Sequence, residues 1–132
     1  MNLLLDTNVC IEVLRGRNLQ VIARYAETDP ERISLPSIVA AELLLGGAKS
    51  NRERATQEVE RFLAAHEILP FGEPECREYV RIRHDLESRG QKIGANDLLI
   101  AATAIALGLM LVTSNADEFG RVEGLATMDW ES

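Results

Sequence analysis

The stretch MNLLLDTN, residues 1–8, decides how the rest of the chain is read. Residues 2–5 form a short apolar run that stops at Asp6, so an acid stands where a buried strand would leave a sheet. The polar trio Asp6, Thr7 and Asn8 then offers a helix cap ahead of Val9, Ile11, Val13 and Leu14. This predicts a strand, a tight turn and a helix. Taken alone, Asp6 could be only a cap, so a functional reading depends on what the remaining chain brings to it.

Working outward, Gly16 ends the first helix, and Leu19, Ile22 and Tyr25 predict a second short helical face. Residues 33–35 read as a strand ended by Pro36. Ser37 is expected to cap a helix over 38–45 that Gly46 and Gly47 terminate, with Glu42 about one turn inside it. A longer charged helix is expected over 51–66, with Val59, Phe62 and Leu63 inward. Residues 68–71 suggest a strand that Pro70 confines to an edge. Pro74 fits the first turn of a helix running to about Ser88, which Gly90 closes. Asn96 is expected to cap the most apolar helix in the chain, which Asp97 opens and Gly108 ends. Residues 109–112 give the clearest strand after the first, then comes a polar turn over 113–117, and residues 125–128 suggest a last short strand.

The chain has 132 residues, 46% of them hydrophobic, which predicts a single domain spanning 1–132 with one core. Cys10 and Cys76 are too few for a disulfide framework and neither sits in a metal-binding spacing, so a reducing cytoplasm is the expected location. No basic region precedes the opening apolar run, and the uncharged run over 98–112 is too short to span a bilayer, so neither a signal peptide nor a membrane segment is expected. The formal charge of −7 argues at face value against a nucleic-acid partner. That argument weakens if the acids gather where cations bind. The bases are also grouped locally, with Arg77, Arg81, Arg83, Arg89 and Lys92 in one segment and Lys49, Arg52 and Arg54 in another.

Strands alternating with helices predict an α/β fold with a central parallel sheet and helices on both faces. Strand C-termini and helix N-termini then share one edge, and a ligand crevice forms there where the strand order reverses. Asp6, Glu42, Asp97, Asn115 and Glu118 should all project from that edge. Two negative charges about 4 Å apart repel by roughly 4 kcal/mol at an effective dielectric near 20, so such a group must bind a cation or take up protons. Oxygen ligands alone suit Mg²⁺, or Mn²⁺ in its place, rather than zinc. A phosphate ester is the substrate implied, and attack by water should leave a 5′-phosphate and a 3′-hydroxyl. His66 and His84 both look like helix-surface residues, which speaks against metal-free acid–base cleavage. There is no P-loop, G-x-G-x-x-G or H-E-x-x-H motif.

The pattern LLLDTN, the Glu in SIVAAELLLG, then GANDLLIAATA and LVTSNADEF resembles the PIN-domain ribonucleases, specifically VapC-type toxins of type II toxin–antitoxin pairs. The resemblance extends to the closing RVEGL and DW. It implies a three-layer α/β/α fold, a Mg²⁺-dependent endoribonuclease, a homodimer and inhibition by a cognate VapB-type antitoxin. Carried over residue by residue, Asp6, Glu42 and Asp97 match the three central acids, with Asp6 and Asp97 as direct metal ligands. Asn115 matches the polar residue of the T-x-N motif. Asp117 and Glu118 compete for the fourth acid, and register with Phe119 favours Glu118. Arg77, Arg81 and Lys92 are the expected RNA contacts, and a structured RNA such as a tRNA is an expected substrate by family analogy. An antitoxin is expected to place a basic side chain among the acids. Two other readings stay open at this stage. One is an aspartyl-phosphate phosphatase with Asp6 as nucleophile, although the acid such enzymes want two residues on is here Asn8. The other is a non-catalytic binding module whose acids only cap helices.

Overall fold

The computed structural model describes residues 2–132. β1 (Leu3–Leu5) lies at the centre of a five-stranded sheet and leads into α1 (Thr7–Arg15) and α2 (Leu19–Glu27). A 3-10 turn, Pro30–Arg32, precedes β2 (Ile33–Pro36), followed by α3 (Ser37–Ser50), α4 (Glu53–Ala64) and the edge strand β3 (Glu67–Leu69). The chain then crosses to the other side of β1 through α5 (Glu73–Ser88) and α6 (Ala95–Leu107) to reach β4 (Met110–Val112). The short α7 (Ala116–Phe119) and β5 (Thr127–Met128) complete it.

Every strand pair is parallel and the order is β3-β2-β1-β4-β5. Chain progress is outward from β1 to β3, then reverses beyond β1 to β4 and β5. Right-handed crossovers therefore place α1–α4 over one face and α5–α7 over the other. The packing of α1 on α2, α3 and α4, and of α5 on α6, agrees with that assignment, and α3 and α6 also meet one another. This is the expected three-layer α/β/α arrangement. Because helices cover both faces, β1 shows no in–out alternation: Leu3, Leu4 and Leu5 are all buried, as are Ile33, Leu35, Leu111 and Val112. The switch point falls between β1 and β4, where Asp6 N–H continues the ladder by donating to the Val112 carbonyl (3.2 Å).

Several local expectations need correction. α3 does not stop at Gly46 and Gly47 but runs through them to Ser50, and Pro36 rather than Ser37 holds its N-cap position. The terminator is Asn51, in the left-handed region at φ 59°, which Asn tolerates better than most residues. Gly47 is buried against α4, where a Cβ would make ordinary contact with Thr56 and Val59, its nearest atom being the Thr56 Cα at 3.5 Å. α4 accordingly starts at Glu53, later than predicted. Asn96 lies inside α6, and Gly94 is its N-cap. In α2 the exposed Leu19 is not inward; Val21 is the buried residue.

His66 also departs from expectation. It is buried in the segment after α4 rather than exposed on a helix surface. Its Nδ1 must carry the proton to donate to the Pro30 carbonyl (3.3 Å), so Nε2 accepts from the Tyr25 hydroxyl (2.6 Å). Phe62 and Tyr25 pack their rings against it, and burial lowers its pKa.

Candidate active site at the C-terminal edge of the sheet

Asp6 leaves β1 at the switch point and becomes the N-cap of α1, its Oδ1 accepting from Val9 N–H (2.9 Å). The bland and the functional readings of this residue therefore coexist. Only 4% of Asp6 is exposed, and desolvation raises its pKa, against bonds from Thr113 and Val9. The charges of Glu42 and Asp129 add to that rise. Glu42, half-buried on α3, accepts from Thr7 Oγ1 at 2.8 Å. Thr7 is the first residue of α1, so the residue beside Asp6 orients the second acid.

Asp97 enters from the other layer, in the first turn of α6. Its pKa is pushed up to about 6, first by burial and then by Glu118, with smaller contributions from Asp6 and Glu42. All four carboxylates thus lie within one electrostatic neighbourhood. Glu118 moves the opposite way, below the ordinary glutamate value. It accepts from Gly94 N–H (2.6 Å) and from Asn115 Nδ2 (2.6 Å), bonds that favour its ionised form. A proton shared by this pair therefore resides on Asp97. Of the two adjacent acids after β4, Glu118 turns toward the cluster while Asp117 is exposed.

The sequence reading missed the threonines and one acid. Thr113, at the end of β4 and buried, bonds Asp6 and also accepts from Asn115 N–H (3.0 Å), so it ties the first acid to the T-x-N turn. Asp129 follows β5 as Asp6 follows β1. The rule that strand ends share one edge applied equally to the strand predicted over 125–128, and would have flagged it.

The basic residues divide differently from the expectation. Arg77 pairs with Glu73 (2.9 Å) and Arg81 with Glu78 (2.9 Å) along α5. Neither bonds an acid of the cluster, and nor does Lys92, whose carbonyl accepts from Arg121 (2.7 Å). On the opposite side, Glu42 shares the wall of a cavity of about 420 Å³ with Arg15, Arg17 and Arg52, over Ile11 and Leu43.

The donor set fits a hard divalent cation. Among the described residues, the side chains that act on Asp6 are the oxygen-bearing Thr113, Glu42, Asp97 and Asp129, with Cys10 beside them as a thiol that burial and the Asp6 charge hold protonated. Both nitrogens of His66 are engaged elsewhere. Among the described residues no three His, Cys, Asp or Glu side chains stand gathered as a ready-made ligand set. Mg²⁺ does not require one, since it commonly takes one or two carboxylates and keeps several waters.

Comparison with known proteins agrees with this geometry. The PIN domain profile matches residues 3–125. Ribonuclease VapC2 of Haemophilus influenzae is 37% identical over 128 residues, covering 96% of each chain. The tRNA(fMet)-specific endonuclease VapC of Shigella flexneri is 32% identical over 131 residues, 98% of each. Among solved structures, the DNA-bound VapBC of Salmonella typhimurium superposes with a TM-score of 0.92 at 32% identity over 98% of each chain. With the acids, the switch point and the sheet order in place, the chain belongs to the PIN-domain family, among the VapC ribonucleases.

Proposed function

We propose that this chain is the toxin of a VapBC-type pair, a cytoplasmic endoribonuclease that hydrolyses an RNA phosphodiester at the acidic edge, with Mg²⁺ as its natural ion. The observation that carries the reading is the raised pKa of Asp97 beside Asp6, Glu42 and Glu118, a charge excess that a divalent cation relieves. Asp6 and Asp97 are the residues to hold the ion. When bound, Mg²⁺ supplies charge neutralisation and water activation for phosphoryl transfer. Mn²⁺ is the expected substitute.

The chain's own residues do the rest. Thr113 and the Val9 amide orient the buried Asp6 and oppose the rise that burial gives its pKa, while Thr7 fixes Glu42. Asn115 and Gly94 hold Glu118 as a carboxylate, able to accept a proton from an attacking water. Arg15, Arg17 and Arg52 share a cavity wall with Glu42, and they and Lys92 are the bases proposed to hold RNA phosphates. Arg77 and Arg81 can join them only by giving up exposed pairs, which at this exposure are worth little. A tRNA is the proposed substrate by analogy with the Shigella relative. A VapB-type antitoxin is the proposed inhibitor, acting by setting a cation among the acids, and a homodimer is the proposed assembly. The test is to map the ends of RNA incubated with purified protein. Mg²⁺-dependent cuts carrying 5′-phosphates, absent with Asp6→Asn, support the proposal. Cuts that persist in EDTA, or in that variant, refute it.

A further inference from the structure

Residues 89–94 join α5 to α6 without helix or strand, so their path depends on tethers. Gln91 N–H donates to the Leu86 carbonyl (2.9 Å), which only finishes α5. The Arg89 and Gly90 amides likewise only finish α5, and the Gly94 carbonyl accepts from Leu98 N–H (3.0 Å) as α6 begins. Two further tethers come from beyond β4: Arg121 Nη1 donates to the Lys92 carbonyl (2.7 Å), and Glu118 accepts from Gly94 N–H. Arg121 is itself gripped, because its own carbonyl accepts from Arg89 Nη2 (2.7 Å). Arg89 is fixed in turn by two bonds to Asp85 Oδ2 (3.1 and 2.8 Å) and one to Gln91 Oε1 (3.1 Å). The result is a closed clasp: Arg89, at the C-cap of α5, holds the Arg121 backbone, and the Arg121 side chain holds the same loop at Lys92. Its far end is anchored by the buried Phe119 and Val122 on either side of Gly120 and Arg121.

Gly94 is where the clasp reaches the chemistry. A Cβ on this residue would lie 3.4 Å from Asp97 Oδ2 and 3.7 Å from Glu118 Oε1, so both carboxylates flank it. Gly94 is also the N-cap of the helix that carries Asp97. A shift of the Gly94 backbone therefore acts on both acids, on Glu118 through its hydrogen bond and on Asp97 through the helix that Gly94 caps. Arg121 hydrogen-bonds neither of them, though its charge also acts on Glu118 through space.

Resting on the metal-dependent reading above, we propose that Arg89 and Arg121 are positioning residues whose clasp on the Lys92 carbonyl sets the spacing of Asp97 and Glu118. Residues that orient ligands from outside typically change metal affinity by about 10–100-fold. The two arginines act as one unit, so their effects should not add.

The test uses metal-free protein first and Mn²⁺ alone second. The Gly94 amide proton, bonded at 2.6 Å to a carboxylate, gives a downfield NMR resonance that Arg121→Ala and Arg89→Ala should each move upfield. Each variant should also weaken Mn²⁺ binding about tenfold, and the double variant should lose about the same tenfold rather than a hundredfold. Arg121→Lys, which keeps a donor for the carbonyl, should restore most of both signals. An unmoved Gly94 resonance, additive losses, or a change only in KM for RNA and its salt dependence would overturn the clasp and make the arginines simple phosphate contacts. If the unaltered protein binds no Mn²⁺, the metal-dependent reading fails, while the Gly94 resonance still decides the clasp.

Discussion

Replacing Asp97 by asparagine should make the metal-free protein more stable while abolishing its nuclease activity. In the folded chain the Asp97 pKa rises from 3.8 to about 6, through burial and the Glu118 charge. The raised value means the ionised carboxylate opposes folding. That cost is absent below about pH 4, grows as pH climbs toward the folded pKa, and is fully present above it. Two units at about 1.4 kcal/mol each give roughly 3 kcal/mol. Asp97 is only half-buried, so solvent screening reduces the expected gain to about 1–2 kcal/mol. In a domain of this size that is about 3–6 °C in Tm. Asparagine keeps the shape and can donate to Glu118, whereas the aspartate can do so only when protonated.

The assay is urea or thermal unfolding in EDTA across pH 4 to 8. The variant's advantage should be full at pH 7.5 and vanish near pH 4. Excess Mg²⁺ should reverse the order, since a ligand at a hundred times its Kd stabilises the unaltered protein by about 2.7 kcal/mol. An Asp97→Asn protein less stable than its parent at pH 7.5 without metal would refute the electrostatic argument.

Other expectations concern the scaffold. The His66 pKa is lowered by burial, so its contribution to stability is complete above the ordinary value of 6.5 and is lost as pH falls below it. Urea unfolding should show that decline between pH 7.5 and 5.5, and His66→Gln should flatten it; an unchanged slope would contradict the Tyr25–His66–Pro30 arrangement. Gly46 lies within α3, and an added Cβ meets nothing within 4 Å. Gly46→Ala should therefore stabilise by about 0.5–1 kcal/mol, whereas a loss would mean that α3 breaks at Gly46 after all.

How far the sequence carried the account depends on which physical signal each residue leaves. Asp6, Asp97 and the strands beside them were legible because an apolar run ending in an acid marks a buried strand at its C-terminal edge, and parallel topology brings such edges together. Glu118 over Asp117 was readable from Phe119, which must face the core. Thr7 and Thr113 were not, because a threonine that orients a carboxylate resembles any other polar turn residue until its partner is known. The α3 terminus was misread because Gly46 and Gly47 look like a stop signal. The helix runs on through both because α3 packs along α4 there, a tertiary contact with no local trace. His66 was misread for the same reason: its partners, Tyr25 and Pro30, lie far away in sequence. The arginines of α5 looked like a nucleic-acid footprint, but the sequence also placed Glu73, Glu78, Asp85 and Glu87 at pairing distance along the helix, and these pairs form.

The most direct measurement of the central claim is a Mn²⁺ titration followed by electron paramagnetic resonance on the unaltered chain and on the Asp6→Asn and Asp97→Asn variants, each verified as folded by circular dichroism. The account predicts saturable binding to the unaltered chain and its loss in both variants, because one ion depends on acids from opposite layers of the sheet. Undiminished binding in either variant would contradict it.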